Sequence, residues 1–317
     1  MINDCAYVGE TLLKYLPSDV EKQHVKRTRG WWSKTFGIAY NILKAKADVY
    51  HVHYLLQDCY IASKLGKHPL VGHAMGSDLR QQLRSTKWGW IVRSNLRSCD
   101  RILVCQPTIL EDAKKFNETA EYFPIPFDPQ LFFPKPLAER NRKQVFIASV
   151  HDFEVKGTDK FLHALASARI PLTVKAMRSG KDLDQAQQLA RELGLEIDFI
   201  ERVPHDRMNE LYWENDLVLG SFGVGQLDTV AIEAMACGRP LVHSVFTEFF
   251  PRCPLEKLET VEEAAELISR LLTDEKEREK RLQEQLKYVN EIHAAPVLAE
   301  RLMTVYSELT GRGGFKN

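Results

Sequence analysis

Eight short runs rich in apolar and β-branched residues recur along the chain, and helical patterns lie between them. The runs are 48–53 (DVYHVH), 68–72 (HPLVG), 100–105 (DRILVC), 144–149 (QVFIAS), 171–176 (PLTVKA), 196–201 (EIDFIE), 215–221 (NDLVLGS) and 240–244 (PLVHS). Residues 158–167, 182–193 and 229–237 carry helical spacing between such runs. A strand reaches a parallel neighbour only through a crossover, which a helix normally supplies, so this alternation predicts βαβ units and parallel sheets. The expected class is α/β, with doubly wound, Rossmann-like sheets. MIND at the start is short for a first parallel strand and predicts a ragged sheet edge.

At 317 residues the chain is long for one such domain and suits two. Residues 124–136 hold five of its 14 prolines, a density that neither a helix nor a central strand tolerates. We therefore expect an N-terminal domain over 1–135 and a second over 136–295. The last helical stretch, 296–317, is free to return to the first domain.

Net charge is zero and the pI is about 7.1, so the chain as a whole is no polyanion binder. The first 138 residues nevertheless carry 19 Lys and Arg against 13 Asp and Glu. Six cysteines stand singly, without a CxxC pair, which predicts reduced thiols, a cytoplasmic setting and neither a zinc nor a disulfide framework. No apolar run approaches the roughly 18 residues needed to span a bilayer.

The stretch LDTVAIEAMACGRPLVHS, 227–244, concentrates the chemistry. It follows the predicted strand NDLVLGS and a loop with two glycines, so Asp228 or Thr229 is placed to cap a short helix that Gly238 and Pro240 end. In open α/β sheets, ligands bind beyond the carboxyl ends of strands, where helix N-termini present free N–H groups. Glu233 stands about one turn inside this helix. It either accepts hydrogen bonds from a neutral hydroxyl pair, such as a nucleotide ribose offers, or only complements the helix dipole.

IEAMACGRPLV resembles the EAMACGxPV signature of the group 1 retaining glycosyltransferases, which have the GT-B fold and use nucleotide-sugar donors. Other segments agree in order: ADVYHVH with DVIHVH, MGSDLR with HGSDxR, and SCDRILVCQPTILEDAKKF with ADRVIAVSxxxRxxL. IPFDPQLFFP resembles NGVDxxxFxP, and VFIASVHDFEVKGTDKFLHAL resembles FVGRLxxEKGxxxLLxAL. The resemblance runs from about residue 45 to 245. It implies two facing domains, with the acceptor on the first, the donor on the second and a cleft between.

By the same resemblance, Glu233 falls on the glutamate that binds the donor ribose and Lys156 on the lysine that binds its diphosphate. These two are the implied catalytic residues. The implied donor-binding set adds His151, Gly225, Gln226, Asp228, Thr229 and Val230, the last two through backbone N–H groups. Gly9, His73, Met75 and Asp78 are implied on the acceptor side. A cation and helix N–H groups can stabilise a departing diphosphate unaided, so neither a metal nor another cofactor is expected. The DLD of 182–184 opens a helix and is read as capping.

Three positions depart from the family pattern. A second glutamate, eight residues before Glu233, is Gly225 here, and the GFG that follows it is Gln226, Leu227 and Asp228. The arginine that partners the lysine falls on His151, or on Val150 if the loop is one residue longer. The histidine of HGSD falls on Met75. A neutral imidazole grips diphosphate less firmly than a guanidinium fork.

Four of the five tryptophans lie in two basic stretches, 21–34 and 80–97, the second without any acid. They suit an anionic membrane surface presenting a lipid-linked acceptor. Alternatively Arg80, Arg84 and Arg93 solvate a helix face while Trp88 and Ile91 pack inward. No nucleic-acid motif accompanies the charge. The expected activity is transfer of a sugar from a nucleotide diphosphate to an acceptor hydroxyl with retention. The alternative is an inactive GT-B relative that binds carbohydrate or a partner.

Overall fold

The computed structural model describes residues 1–27, 36–139, 142–168 and 170–311. The chain divides into two compact units, Met1–Pro126 with Ile292–Asn317, and Phe127–Glu291.

The first unit opens with α1 (Val8–Tyr15) and α2 (Ile38–Lys44), followed by β1 (Tyr50–His53), α3 (Gln57–Lys64), β2 (Leu70–Ala74) and α4 (Ser77–Arg80). It continues through α5 (Gly89–Ser98), β3 (Arg101–Val104), α6 (Leu110–Lys114) and β4 (Glu121–Tyr122). The four strands pair in parallel in chain order. Beyond β1 the sheet is ragged, as the short MIND run predicts: Ile2 makes single parallel bridges to Val52 and Val25. β2 is buried at every position and reads apolar except for His73, as a strand covered on both faces should. The core gathers Val52, Leu70, Ile102 and Val104 against Leu55, Leu96 and Ala113.

The second unit comprises β5 (Lys143–Ile147), α7 (Thr158–Ser167), β6 (Leu172–Met177), α8 (Leu183–Glu192), β7 (Ile197–Ile200), α9 (Met208–Glu214), β8 (Leu217–Leu219), α10 (Thr229–Ala236), β9 (Leu241–Val242) and α11 (Val261–Thr273). α12 (Glu275–His293) and α13 (Ala295–Thr310) complete the chain. Its parallel sheet has the order β7-β6-β5-β8-β9. The order reverses between β5 and β8, and that reversal is where a doubly wound sheet opens a crevice at its carboxyl edge.

Local chemistry accounts for the helix ends. A capping box at Thr260 and Glu263 starts α11, and Gly238, at φ 66°, ends α10. Asp182 stands at the N-cap position of α8, but it is not the cap that the DLD motif predicts: its carboxylate accepts the Phe153 N–H at 2.8 Å instead. The proline-rich segment is anchored rather than loose. Asn209 donates to the Leu131 carbonyl at 2.8 Å, Trp213 donates to the Phe133 carbonyl at 2.9 Å, and Phe132 is buried. All six cysteines are free thiols. Among the described residues, no helix is long and apolar enough to cross a membrane.

Candidate functional site

The loops that follow β5 and β8 meet at the order reversal of the second sheet. Their approach is close: the Phe222 N–H donates to the Lys156 carbonyl at 2.7 Å, and a Cβ on Gly223 would stand 2.3 Å from the Val155 carbonyl oxygen. Gly157, at φ 61°, turns the first loop into α7, and a Cβ there would meet Phe222 at 2.9 Å. Lys156 is thereby carried to the start of α10, where its ammonium pairs with the Asp228 carboxylate.

Asp228 is the N-cap of α10, and its Oδ1 accepts the Ala231 N–H at 3.0 Å. The N–H groups of Thr229 and Val230, the first two of the helix, have no intrahelical acceptor. Burial by itself would raise the Asp228 pKa. The Lys156 ammonium outweighs it, helped by the Ala231 N–H, and holds the pKa at about 2. His243 fastens the loop from below. Its Nδ1 accepts the Ser221 N–H at 2.9 Å, so Nε2 carries the proton and donates to the Gln226 carbonyl at 2.8 Å. Burial lowers its pKa, which suits this neutral form.

Glu233 lies one turn further in and is 4% exposed. His205, from a 3-10 turn at His205–Arg207, contacts its Oε1 at 2.6 Å, and the Tyr212 hydroxyl of α9 donates to its Oε2 at 3.2 Å. Phe132 backs this trio, its ring centroid 5.3 Å from that of His205. Burial raises the Glu233 pKa above the ordinary carboxylate range, against the pull of His205 and Tyr212. A carboxylate has about four acceptor sites, so one donor on each oxygen leaves capacity for a hydroxyl pair.

Other implied residues take different places. His151 is fully buried, with its ring against Phe199 and its pKa lowered by burial. It offers no exposed cation. Gly225 has φ 60°, and a Cβ there would sit 2.4 Å from the Phe246 ring, so a glutamate cannot replace it without moving that ring. Gln226 is buried, and its carbonyl serves His243.

In the first unit, Asp78 is committed to backbone. Its carboxylate accepts N–H groups from Leu55, Met75, Gly76 and Leu79 at 2.9–3.1 Å, fixing the turn that contains Met75. His73 belongs to a buried cluster with His51 and His53, whose ligand atoms lie within 4.8 Å of one another. Gly9 closes over it, with room for a Cβ only 2.9 Å from the His53 Nε2. The His51 and His53 rings are stacked at 4.5 Å and 20°. His51 Nε2 and His73 Nδ1 lie 3.2 Å apart, and His51 Nδ1 lies 2.7 Å from the Tyr306 hydroxyl. Within the cluster one hydrogen bond joins His51 to His73, and His53 Nδ1 and His73 Nε2 are buried without a hydrogen-bond partner.

Sequence reasoning did not single out His205, Tyr212, Phe132 or His243. The alternation in HVH does put His51 and His53 on one face of a strand, a signal the sequence offers directly.

These features define an α/β protein of the GT-B class, with two parallel-sheet units and an anion-accepting helix start at the second sheet's order reversal. The model of the group 1 glycosyl transferases matches residues 130–287, and the chain belongs to that family. No curated protein matches it by sequence. Among solved structures, Anabaena Alr3699/HepE in complex with UDP and glucose is similar at TM-score 0.73 and 16% identity, over 90% of this chain and 86% of that one. Sucrose-phosphate synthase from Thermosynechococcus elongatus is similar at TM-score 0.69 and 17% identity, over 94% and 88%. The apo lipopolysaccharide outer core galactosyltransferase WaaB is similar at TM-score 0.64 and 12% identity, over 97% and 99%.

Proposed function

We propose that this chain transfers a glycosyl group from a nucleoside diphosphate sugar to an acceptor hydroxyl, and that the second unit holds the donor. The observation that carries the reading is the convergence of Lys156, the start of α10 and the buried Glu233 at the order reversal. Glu233, steadied by His205 and Tyr212, accepts the ribose hydroxyls. Lys156 and the N–H groups of Thr229 and Val230 face the diphosphate and stabilise its departure, chemistry that requires no metal. Retention of configuration follows the family resemblance. The UDP and glucose in the Anabaena complex make UDP the first nucleotide to try.

Calorimetric titration of UDP, GDP and ADP tests the donor site. One nucleotide is expected to bind, and Glu233→Ala is expected to weaken it by about tenfold or more, the effect of losing one charged hydrogen-bonding partner, while Lys156→Ala is expected to weaken it as much by leaving the Asp228 carboxylate unpaired beside the phosphates. Absence of binding by all three would leave the alternative, a non-catalytic relative that binds carbohydrate or a partner. Gly225 and the buried His151 are what favour that second reading.

For the acceptor, we propose a lipid-linked substrate met at an anionic membrane face. Phe36, Tyr40 and Leu43 stand exposed at and within α2, and Trp90 is exposed on α5 beside a stretch rich in Arg and Lys. Ile91 is buried and Trp88 half-buried, beside an outward Trp90. Trp31, Trp32 and Lys34 lie outside the described residues. The protein is expected to sediment with phosphatidylglycerol vesicles and not with phosphatidylcholine vesicles, and Leu43→Glu combined with Trp90→Ala to lose that binding. Equal recovery with both lipids would remove the membrane from the proposal.

A further inference from the structure

Lys156 and the start of α10 are the two groups assigned above to the donor diphosphate, and the chain already supplies an anion to both. One Asp228 oxygen pairs with the Lys156 ammonium, and the other accepts the Ala231 N–H at 3.0 Å. The pair is largely withdrawn from solvent, its side chains 20% and 23% exposed, so screening by water and salt is reduced. The resemblance drawn in the sequence places a glycine at this position, where no carboxylate would stand. His243 supplies no compensating charge, because both ring nitrogens serve backbone groups in the neutral form. His151, at the position of the second cation, is neutral and buried.

We propose that Asp228 is a specificity-determining residue that competes with ligand phosphate for Lys156 and for the start of α10. The wild-type chain then discriminates weakly between a nucleoside diphosphate and the corresponding monophosphate. The inference rests on the donor reading above. The physical reason is charge balance. An arriving diphosphate meets a cation already neutralised at contact distance, so its second phosphate gains little from the protein. Removing the Asp228 charge restores a net positive site whose attraction grows with each phosphate added.

Asp228→Asn isolates the charge, since asparagine keeps the side-chain shape and remains a good N-cap. UDP and UMP, with the GDP/GMP and ADP/AMP pairs, would be titrated calorimetrically into wild type and variant at two salt concentrations. Asp228→Asn is expected to bind the preferred diphosphate about tenfold or more tightly than wild type, with a smaller gain for the monophosphate and a steeper loss with added salt. If wild type binds the diphosphate and Asp228→Asn binds it no better, the competition is overturned while the donor site stands. If neither protein binds any nucleotide, both readings fall. Should Asp228→Asn melt early, Asp228→Ser, which also caps without charge, carries the same expectation.

Discussion

Arg239→Ala is expected to destabilise the second unit by about 3–5 kcal/mol, the combined cost of a large buried cavity and of backbone carbonyls left without a donor. Arg239 is fully buried and among the largest side chains that are. Its Nε donates to the Tyr212 carbonyl at 3.0 Å, Nη1 to the Lys135 and Gly238 carbonyls at 2.8 and 2.9 Å, and Nη2 to the Trp213 carbonyl at 3.2 Å. These carbonyls belong to three separate stretches: the proline-rich segment, the end of α9 and the end of α10. One guanidinium therefore fixes the two helices that carry Tyr212 and Glu233. Alanine would leave a cavity and several unsatisfied carbonyls. For a unit of this size, about 4 kcal/mol corresponds to a fall in Tm of about 10 °C. Arg239→Lys should recover only part of it, because a compact ammonium cannot reproduce the planar fork. Calorimetric melting of the three proteins provides the check, and a shift under about 2 °C for Arg239→Ala would show that the carbonyls find other donors or water.

Much of the architecture is written in short-range pattern. The run QVFIAS becomes β5 within about two residues, the helix at 158–167 coincides with α7, and GRP ends α10 because glycine alone takes its positive φ without strain. Asp228, one of two candidate caps for α10, is the residue that caps it. What the pattern conceals is of two kinds. β4 has two residues and Ile2 makes only isolated bridges, too little for any periodicity to register. The other kind is convergence: His205 and Tyr212 reach Glu233 across 28 and 21 residues, and Asp228 reaches Lys156 across 72. A lysine in a VKG turn and an N-capping aspartate each have an ordinary local reading, and only the sheet's order reversal makes them neighbours. The Gly225 departure has a similar cause, since the Phe246 ring that fills its space lies 21 positions along and beyond β9.

Acidification should begin to destabilise the first unit well before carboxylates titrate. Burial, and then the neighbouring rings, hold His51 and His53 far below the ordinary histidine range, and burial alone takes His73 to about 3. His293, buried with Nδ1 at 2.8 Å from the Ile125 carbonyl, is lowered to about 4. Each of these groups is neutral when folded and free to take a proton when unfolded, at a pKa of about 6.5. The unfolded chain therefore binds more protons below that value, and stability declines as pH falls from about 6.5 toward the folded values. Every fully linked histidine contributes a slope of about 1.4 kcal/mol per pH unit, so the cluster of three approaches about 4. Against a usual stability of about 5–15 kcal/mol, two to three pH units suffice, which puts acid unfolding at about pH 3.5–4.5. Asp78 acts in the opposite sense, since burial raises its carboxyl, but its effect begins only near the carboxylate range. Denaturant unfolding followed by circular dichroism between pH 7 and 5 should show an uptake approaching four protons, three from the cluster and one from His293, and His73→Leu should reduce it by one. A stability independent of pH over that interval would mean the cluster accepts protons while folded, and its rings would then have to be hydrated or paired with an acid.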